Sequence, residues 1–134
     1  MNETVKEWVA KAEGDYWTAT RELQATERPN YDAVCFHAQQ CAEKLMKAVL
    51  IHKGVTPPRI HDLAQLQQLL IPLVEGWHWP VEELRLLTQV AVTFRYPGES
   101  ADLDDANQAV CICQCLRSDL LALLNLQGTA SQPQ

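Results

Sequence analysis

The chain of 134 residues has no apolar run of the roughly 18–20 residues that a membrane-spanning helix needs. Its opening residues, MNETVKEWVAKAEGDY, carry acids where a secretory signal has a basic segment followed by an apolar one. We therefore expect no membrane association and a cytoplasmic location. The length is that of one domain, which is large enough to form a core without disulfides.

The sequence also lacks the short motifs of several common enzyme classes. It contains no glycine-rich phosphate loop, no GxSxG nucleophile elbow, no HExxH zinc motif and no Asp/Glu arrangement typical of a metal centre. These absences argue against a self-sufficient enzyme of those classes, and we expect neither a bound metal nor a cofactor.

The cysteines do not indicate a disulfide framework, because there are five of them and three stand at Cys111, Cys113 and Cys115 in an apolar periodic segment. On a helix, successive members of this CxCxC series point about 200° apart, so the three thiols are not expected to converge on one metal ion.

The net charge of −6 argues against a general affinity for nucleic acid or for anionic membranes. The charges are unevenly distributed, however. The segment from Lys44 to His61 has no acid and carries four basic residues and two histidines. The sequence therefore predicts one local positive patch on an acidic protein.

Five segments have the apolar spacing of helices, and we predict an all-α fold, an up-and-down antiparallel bundle of about five helices over residues 1–126. The predicted helices are about 4–27 (beginning with a Thr4–Glu7 capping box), 30–54 (capped by Asn30), 62–74, 80–95 (with Pro80 at its first position), and a last one capped by Ser100 or Asp102. Residues 127–134 have nothing to bury and are predicted to be a disordered tail. The turn with Trp77 and Trp79 is expected to be exposed.

A polar stripe runs along the second helix, on the side opposite its apolar residues. Its members follow at i, i+3, i+4 and i+7 and are Gln40, Glu43, Lys44 and Lys47. Two interpretations are open, because the stripe is either a solvated face with an ordinary Glu43–Lys47 pair or part of a site.

Two further positions have open interpretations. Arg95 continues an apolar stripe and is expected to point inward, where it pairs with helix-end carbonyls or an acid, or else binds phosphate. His61 and Asp62 precede the third helix, where they either form its cap or place His61 as a donor to an anion.

The order and spacing of several fragments resemble the HEPN family, the "higher eukaryotes and prokaryotes nucleotide-binding" domains. The fragments are AKAEGDYWTATREL in the first helix, CFHAQQCAEKLMKAVLIHKG in the second, and the later HDL and FRYPG, so that the resemblance runs from about Trp8 to Leu124. It implies a helical bundle, commonly a homodimer, often encoded beside a minimal nucleotidyltransferase as a toxin–antitoxin-like pair. It marks as family-typical polar positions Gln40, Glu43, Lys44, Lys47, His61, Asp62, Arg95 and Tyr96.

The chain departs from the family's ribonucleases, which carry a His four to six residues after an Arg. Arg95 is followed by YPGESAD, which contains no His. The first hypothesis is therefore a non-catalytic module that binds a nucleotide or phosphate, with Arg95 and Lys44 on the phosphate, and that works with a nucleotidyltransferase. The alternatives are a ribonuclease toxin in which a group such as His61 replaces the missing His, and a dimeric scaffold without a ligand.

Overall fold

The computed structural model describes residues 2–125, which contain five helices and no strand. The helices are α1 (Glu3–Leu23), α2 (Tyr31–His52), α3 (Leu63–Leu70), α4 (Val81–Thr93) and α5 (Leu103–Leu123). The predicted all-α fold is confirmed. The predicted tail of residues 127–134 and the predicted domain end at 126 lie outside the described residues. None of the described helices is both long enough and apolar enough to span a bilayer.

Two of the predicted helix starts are confirmed by side-chain caps. The Asn30 carboxamide accepts a hydrogen bond from the Ala33 amide at 3.0 Å. Asp102 forms a capping box with Asp105, in which each side chain accepts the other residue's backbone N–H. Such caps satisfy the amides that the first turn of a helix leaves without a partner.

Other predicted boundaries were wrong. The cap of α1 is Asn2, whose side chain accepts from the Val5 amide at 2.8 Å, so Thr4 lies inside the helix and forms no capping box. Pro80 precedes α4 as its N-cap, where a proline loses no helical hydrogen bond. Helix α3 ends at Leu70 rather than near 74, because Pro72 has no amide hydrogen to continue it.

Helix α2 is the centre of the bundle and packs against all four other helices. Its apolar side chains Leu45, Met46 and Leu50 are fully buried. Because neighbours cover most of its circumference, polar residues of α2 are also drawn into the interior. This central position decides the environment of the predicted polar stripe.

The turn with Trp77 and Trp79 is docked on the bundle, which corrects the expectation that it is exposed. The two rings stack with centroids 6.1 Å apart, and both pack against the core. Gln67, which is fully buried, holds the turn by donating to the Trp79 carbonyl at 3.0 Å and accepting from the Trp79 amide at 2.9 Å. An exposed pair of tryptophan rings would have favoured a dimer interface at this turn, and the docked turn gives no such support.

A buried ion pair joins the first and the last helix. The Arg117 guanidinium on α5 donates two hydrogen bonds of 2.6 Å to the carboxylate of Glu13 on α1, and its carbon lies 4.2 Å from the centre of the Tyr16 ring. Planar, bidentate pairing of this kind is the strongest form of the Arg–carboxylate bond. It fixes α5 against α1.

The cysteines divide into two classes. Cys111 and Cys115 are exposed on α5, whereas Cys113 between them is buried, as the helical periodicity predicts. Burial, together with the negative charges of Asp105, Asp32 and Asp102, raises the pKa of Cys35 to about 12. The hydrogen bond with Cys113, together with burial, raises the pKa of Cys41.

We expect a disulfide reagent such as Ellman's reagent to titrate the two exposed thiols of the folded protein rapidly. The three buried thiols should react only in denaturant, because the thiolate is the reactive form and burial disfavours it. The rise in absorbance before guanidinium is added measures the exposed thiols, and the further rise after its addition measures the buried ones. Rapid reaction of all five thiols in the folded protein would contradict this assignment, and the Cys111→Ser/Cys115→Ser variant should remove the rapid phase.

Candidate functional site

A cleft of about 320 Å³ opens between α2 and α4, beside the segment that precedes α3. We call it the α2–α4 cleft. One part of its lining is apolar and another is polar, and the lining residues are Phe36, Gln39, Gln40, His61, Thr88, Ala91, Val92 and Arg95. Three of the predicted site residues, Gln40, His61 and Arg95, therefore share one cavity although they come from three separate segments of the chain.

The buried carboxylate of Glu43 is the centre of a hydrogen-bond network on the polar side of this cleft. It accepts hydrogen bonds from Lys47 Nζ at 2.9 Å, from His61 Nδ1 at 2.9 Å and from Gln39 Nε2 at 3.0 Å. Gln40 Nε2 lies 3.5 Å from the same carboxylate. Glu43 is 4% exposed and Lys47 5% exposed, so the interpretation of the stripe as a solvated face is wrong for these two residues.

Burial of the Glu43 carboxylate acts to raise its pKa, but the opposing effects outweigh it. The hydrogen bonds from Gln39, His61 and Lys47, with the charge of Lys47, leave the pKa of Glu43 below its ordinary value. Glu43 is therefore ionised at neutral pH. The buried Glu43–Lys47 pair carries no net charge, and Lys47 is not accessible to a ligand in the cleft.

The ionised Glu43 determines which ring nitrogen of His61 carries the proton. A carboxylate only accepts hydrogen bonds, so the proton of this contact must reside on His61 Nδ1. In the neutral ring, Nε2 is then the acceptor. The His61 side chain is 77% exposed, so its Nε2 edge is accessible from solvent. A carboxylate that orients a histidine in this way is a common device in binding and catalytic sites.

The two adjacent glutamines extend the network to the cleft wall. Gln39, which is 3% exposed, also donates to the His61 carbonyl at 3.0 Å and so holds the loop before α3 in place. Gln40 Nε2 donates to Gln39 Oε1 at 2.9 Å. Within residues 2–125 no donor occupies Gln40 Oε1, which leaves an acceptor at the cleft surface.

Arg95 lies at the cleft but is exposed, so the expectation that it points inward was wrong. The reason is that α4 ends at Thr93, and Arg95 belongs to the following turn, where its amide donates to the Val92 carbonyl. Within residues 2–125, Arg95 pairs with no carboxylate. Tyr96 is 63% exposed and is not part of the cleft lining.

Asp62 and Lys44 do not line the α2–α4 cleft. Asp62 is the N-cap of α3 and accepts from the Ala64 and Gln65 amides at 2.9 and 3.2 Å, so the capping interpretation is confirmed for it. Lys44 points toward α1, where its Nζ lies 2.6 Å from the Asp15 carboxylate. The expectation that Lys44 and Arg95 hold the same phosphate therefore has no geometric support.

Asp15 and Gln39 are the polar residues that the sequence reasoning missed. Asp15 is 8% exposed and also contacts His37 Nδ1 at 2.7 Å. Its position inside the Ala12–Tyr16–Ala19 stripe was a usable signal, because an acid on an apolar face has to be paired. No such signal marked Gln39, because its neighbour Gln40 already accounts for the polar stripe at this point of the helix.

The chain belongs to the HEPN family, because the model of the HEPN domain matches residues 5–121. The solved structure of TT1696 from Thermus thermophilus is similar with a TM-score of 0.74 and 21% sequence identity, over 92% of this chain and 99% of that one. ST0689, described as an archaeal HEPN homologue, is similar with a TM-score of 0.64 and 22% identity, over 91% of this chain and 98% of that one. A comparison with curated proteins finds no match.

Proposed function

We propose that this HEPN protein is a non-catalytic module that binds a nucleotide or another phosphate-bearing ligand in the α2–α4 cleft. The observation that carries the proposal is the exposed Arg95 guanidinium, which shares a cavity with His61. A guanidinium without a carboxylate partner is suited to bidentate binding of phosphate. His61, held by the buried Glu43, supplies a second polar group of fixed orientation.

The remaining lining residues favour a ligand with a planar apolar part. Phe36, Ala91 and Val92 form an apolar wall on which a base can pack. Gln40 contributes its side-chain carbonyl oxygen to the same lining. Thr88 contributes a hydroxyl, whose oxygen also accepts from the Leu63 amide at 3.1 Å. A cavity of about 320 Å³ lies at the small end of the range for ligand pockets, which fits a mononucleotide or part of a larger ligand.

Nucleoside triphosphates should bind weakly and in a salt-sensitive manner, and Arg95→Ala should weaken the binding on the order of tenfold, as expected for losing a charged hydrogen bond. NMR titration or calorimetry at low and at raised salt measures this. Arg85→Ala is the matched control, because Arg85 is an exposed arginine on α4 that lines a different groove. Equal affinity of the Arg95→Ala variant and the parent would remove the phosphate role of Arg95.

We further propose that the protein forms a homodimer and works with a minimal nucleotidyltransferase in a toxin–antitoxin-like pair. The support for both is the family membership rather than a surface of this chain. A short nucleotidyltransferase reading frame beside the gene would favour this assignment over a scaffold that binds no ligand.

A ribonuclease that uses His61 is the second candidate function, because His61 and Arg95 line the same cleft. In this hypothesis His61 Nε2 takes the proton of a ribose 2′-hydroxyl, and Arg95 stabilises the charged phosphorane. A second group is also needed to protonate the leaving oxygen. The other described residues that line the cleft carry no imidazole, carboxyl, thiol or amine group that could supply this proton.

We therefore expect that the purified protein does not cleave RNA. Assays on structured and unstructured RNA, with Arg95→Ala and His61→Ala run in parallel, test this expectation. Cleavage by the parent that both variants lose would establish the ribonuclease instead. Cleavage that survives in both variants would come from a contaminating nuclease.

A further inference from the structure

A partly exposed edge of α2 lies between the α2–α4 cleft and a second groove. Phe36, Gln40 and Lys44 follow at i, i+4 and i+8, so they form one line along the helix. Phe36 and Gln40 line the cleft, whereas Lys44 lines a groove of about 450 Å³ between α1 and α2. At the ~1.5 Å rise per residue of a helix, the line from Phe36 to Lys44 spans about 12 Å.

The second groove, which we call the Trp8 groove, has the chemistry of a stacking site with a cation beside it. Its lining residues are Glu7, Trp8, Lys11 and Lys44. The half-buried Trp8 packs against the core, which holds its indole ring in one orientation, and Lys47 Nζ lies 6.0 Å from the centre of that ring. Lys11 is exposed one turn along α1 from Trp8. A fixed indole and an adjacent ammonium are the groups that bind a base and its phosphate in single strands.

We infer that the α2–α4 cleft and the Trp8 groove are two subsites for one single-stranded oligonucleotide. This inference rests on the proposed function, since the cleft is its first subsite. One nucleotide lies against Phe36 with its phosphate at Arg95, the strand crosses Gln40, and a later base stacks on Trp8 with a phosphate at Lys11. At the ~3.4 Å spacing of nucleotides in a stacked strand, about 12 Å corresponds to roughly four nucleotides, and to fewer in an extended strand.

The charge of the protein limits the ligand to a short strand. The net charge is −6, and α1 presents the exposed acids Glu3 and Glu7, of which Glu7 lines the groove itself. Long-range attraction of a polyanion is therefore absent, and affinity comes from contacts within the two subsites. Affinity should rise with strand length until both subsites are occupied and then stop rising.

The test is a length series of ligands, a mononucleotide, a tetranucleotide and a twelve-nucleotide single strand, each as RNA and as DNA, titrated by NMR. We expect the tetranucleotide to bind on the order of tenfold more tightly than the mononucleotide, as one added base stack provides. The indole N–H signal of Trp8 should shift only with the longer ligands. The twelve-nucleotide strand should gain no more than about twofold over the tetranucleotide. A gain in either RNA or DNA supports the inference.

Variants separate the two subsites. Lys11→Ala should weaken tetranucleotide binding several-fold and leave mononucleotide binding unchanged, whereas Arg95→Ala should weaken both. Lys53→Ala, an exposed lysine at the end of α2 that lines neither cavity, is the matched control. Because Lys11 is exposed, its removal leaves the core intact.

Different results of these titrations would contradict this inference and the proposed function. Mononucleotide binding without any gain for the tetranucleotide, or an equal effect of Lys11→Ala on both ligands, would overturn the two-subsite inference alone. Absence of binding for every ligand in the series would overturn the proposed function and this inference with it.

Discussion

The Glu43→Leu variant is expected to lose about 3–5 kcal/mol of the free energy of unfolding, the largest effect of any single substitution in the cleft network. The substitution leaves the Lys47 ammonium, whose side chain is 7% exposed, without its carboxylate. It also removes the acceptor for His61 Nδ1 and Gln39 Nε2. Urea or guanidinium denaturation, compared with the parent at neutral pH, measures the loss.

Lys47 supplies the internal control. Lys47→Met alone should cost less, about 1–3 kcal/mol, because Glu43 retains donors from Gln39 and His61. The Glu43→Leu/Lys47→Met double variant should recover more than half of the loss of Glu43→Leu, since an apolar pair of similar volume replaces a buried ion pair. Strictly additive losses in the double variant would show that the two charges are not coupled.

The hydrogen-bond network around Glu43 also makes the stability of the protein fall at acidic pH. The pKa of Glu43 is lower in the folded chain than its ordinary value. Its contribution to stability is therefore complete above that ordinary value and is lost as the pH falls through the lowered folded value. The parent should lose more stability than the double variant on acidification in this window, as denaturation midpoints at several pH values would record.

The Glu13→Leu variant is expected to lose about 3–5 kcal/mol as well, because it removes the carboxylate from the buried guanidinium of Arg117. Arg117 is 4% exposed and joins α5 to α1, so the loss should appear as destabilisation of the whole bundle. Arg117→Met should cost less, about 2–3 kcal/mol, since the Glu13 side chain is 18% exposed and water can solvate it.

An exposed ion pair on the same helix is the control for this prediction. Lys6 and Glu3 lie 3.4 Å apart with side chains 55% and 85% exposed. Lys6→Ala should change the free energy of unfolding by less than about 1 kcal/mol, because water screens the pair. A similar loss in Lys6→Ala and Glu13→Leu would mean that burial does not determine the strength of these pairs.

The sequence by itself determined the class of fold and most of its elements. Apolar residues at helical spacing and cap residues such as Asn30 and Asp102 located five helices, because these signals act between residues close in the chain. The helix ends predicted near Thr4, Pro80 and Val74 were displaced by about one turn or less. The fragments of the four segments, among them QQCAEK and FRYPG, were sufficient to identify the family only as a set in their order and spacing.

Only the tertiary structure decided which polar residues meet. Glu43 and His61 are 18 positions apart, and Lys44 and Asp15 are 29 apart, so no local spacing places these contacts. Periodicity gives the direction of a side chain from its own helix but not what covers it. The neighbours of α2 bury Glu43 and Lys47, so these two members of the predicted polar stripe form an internal ion pair. Arg95 lies just beyond the end of α4, so this cation, which was predicted to point inward, is exposed.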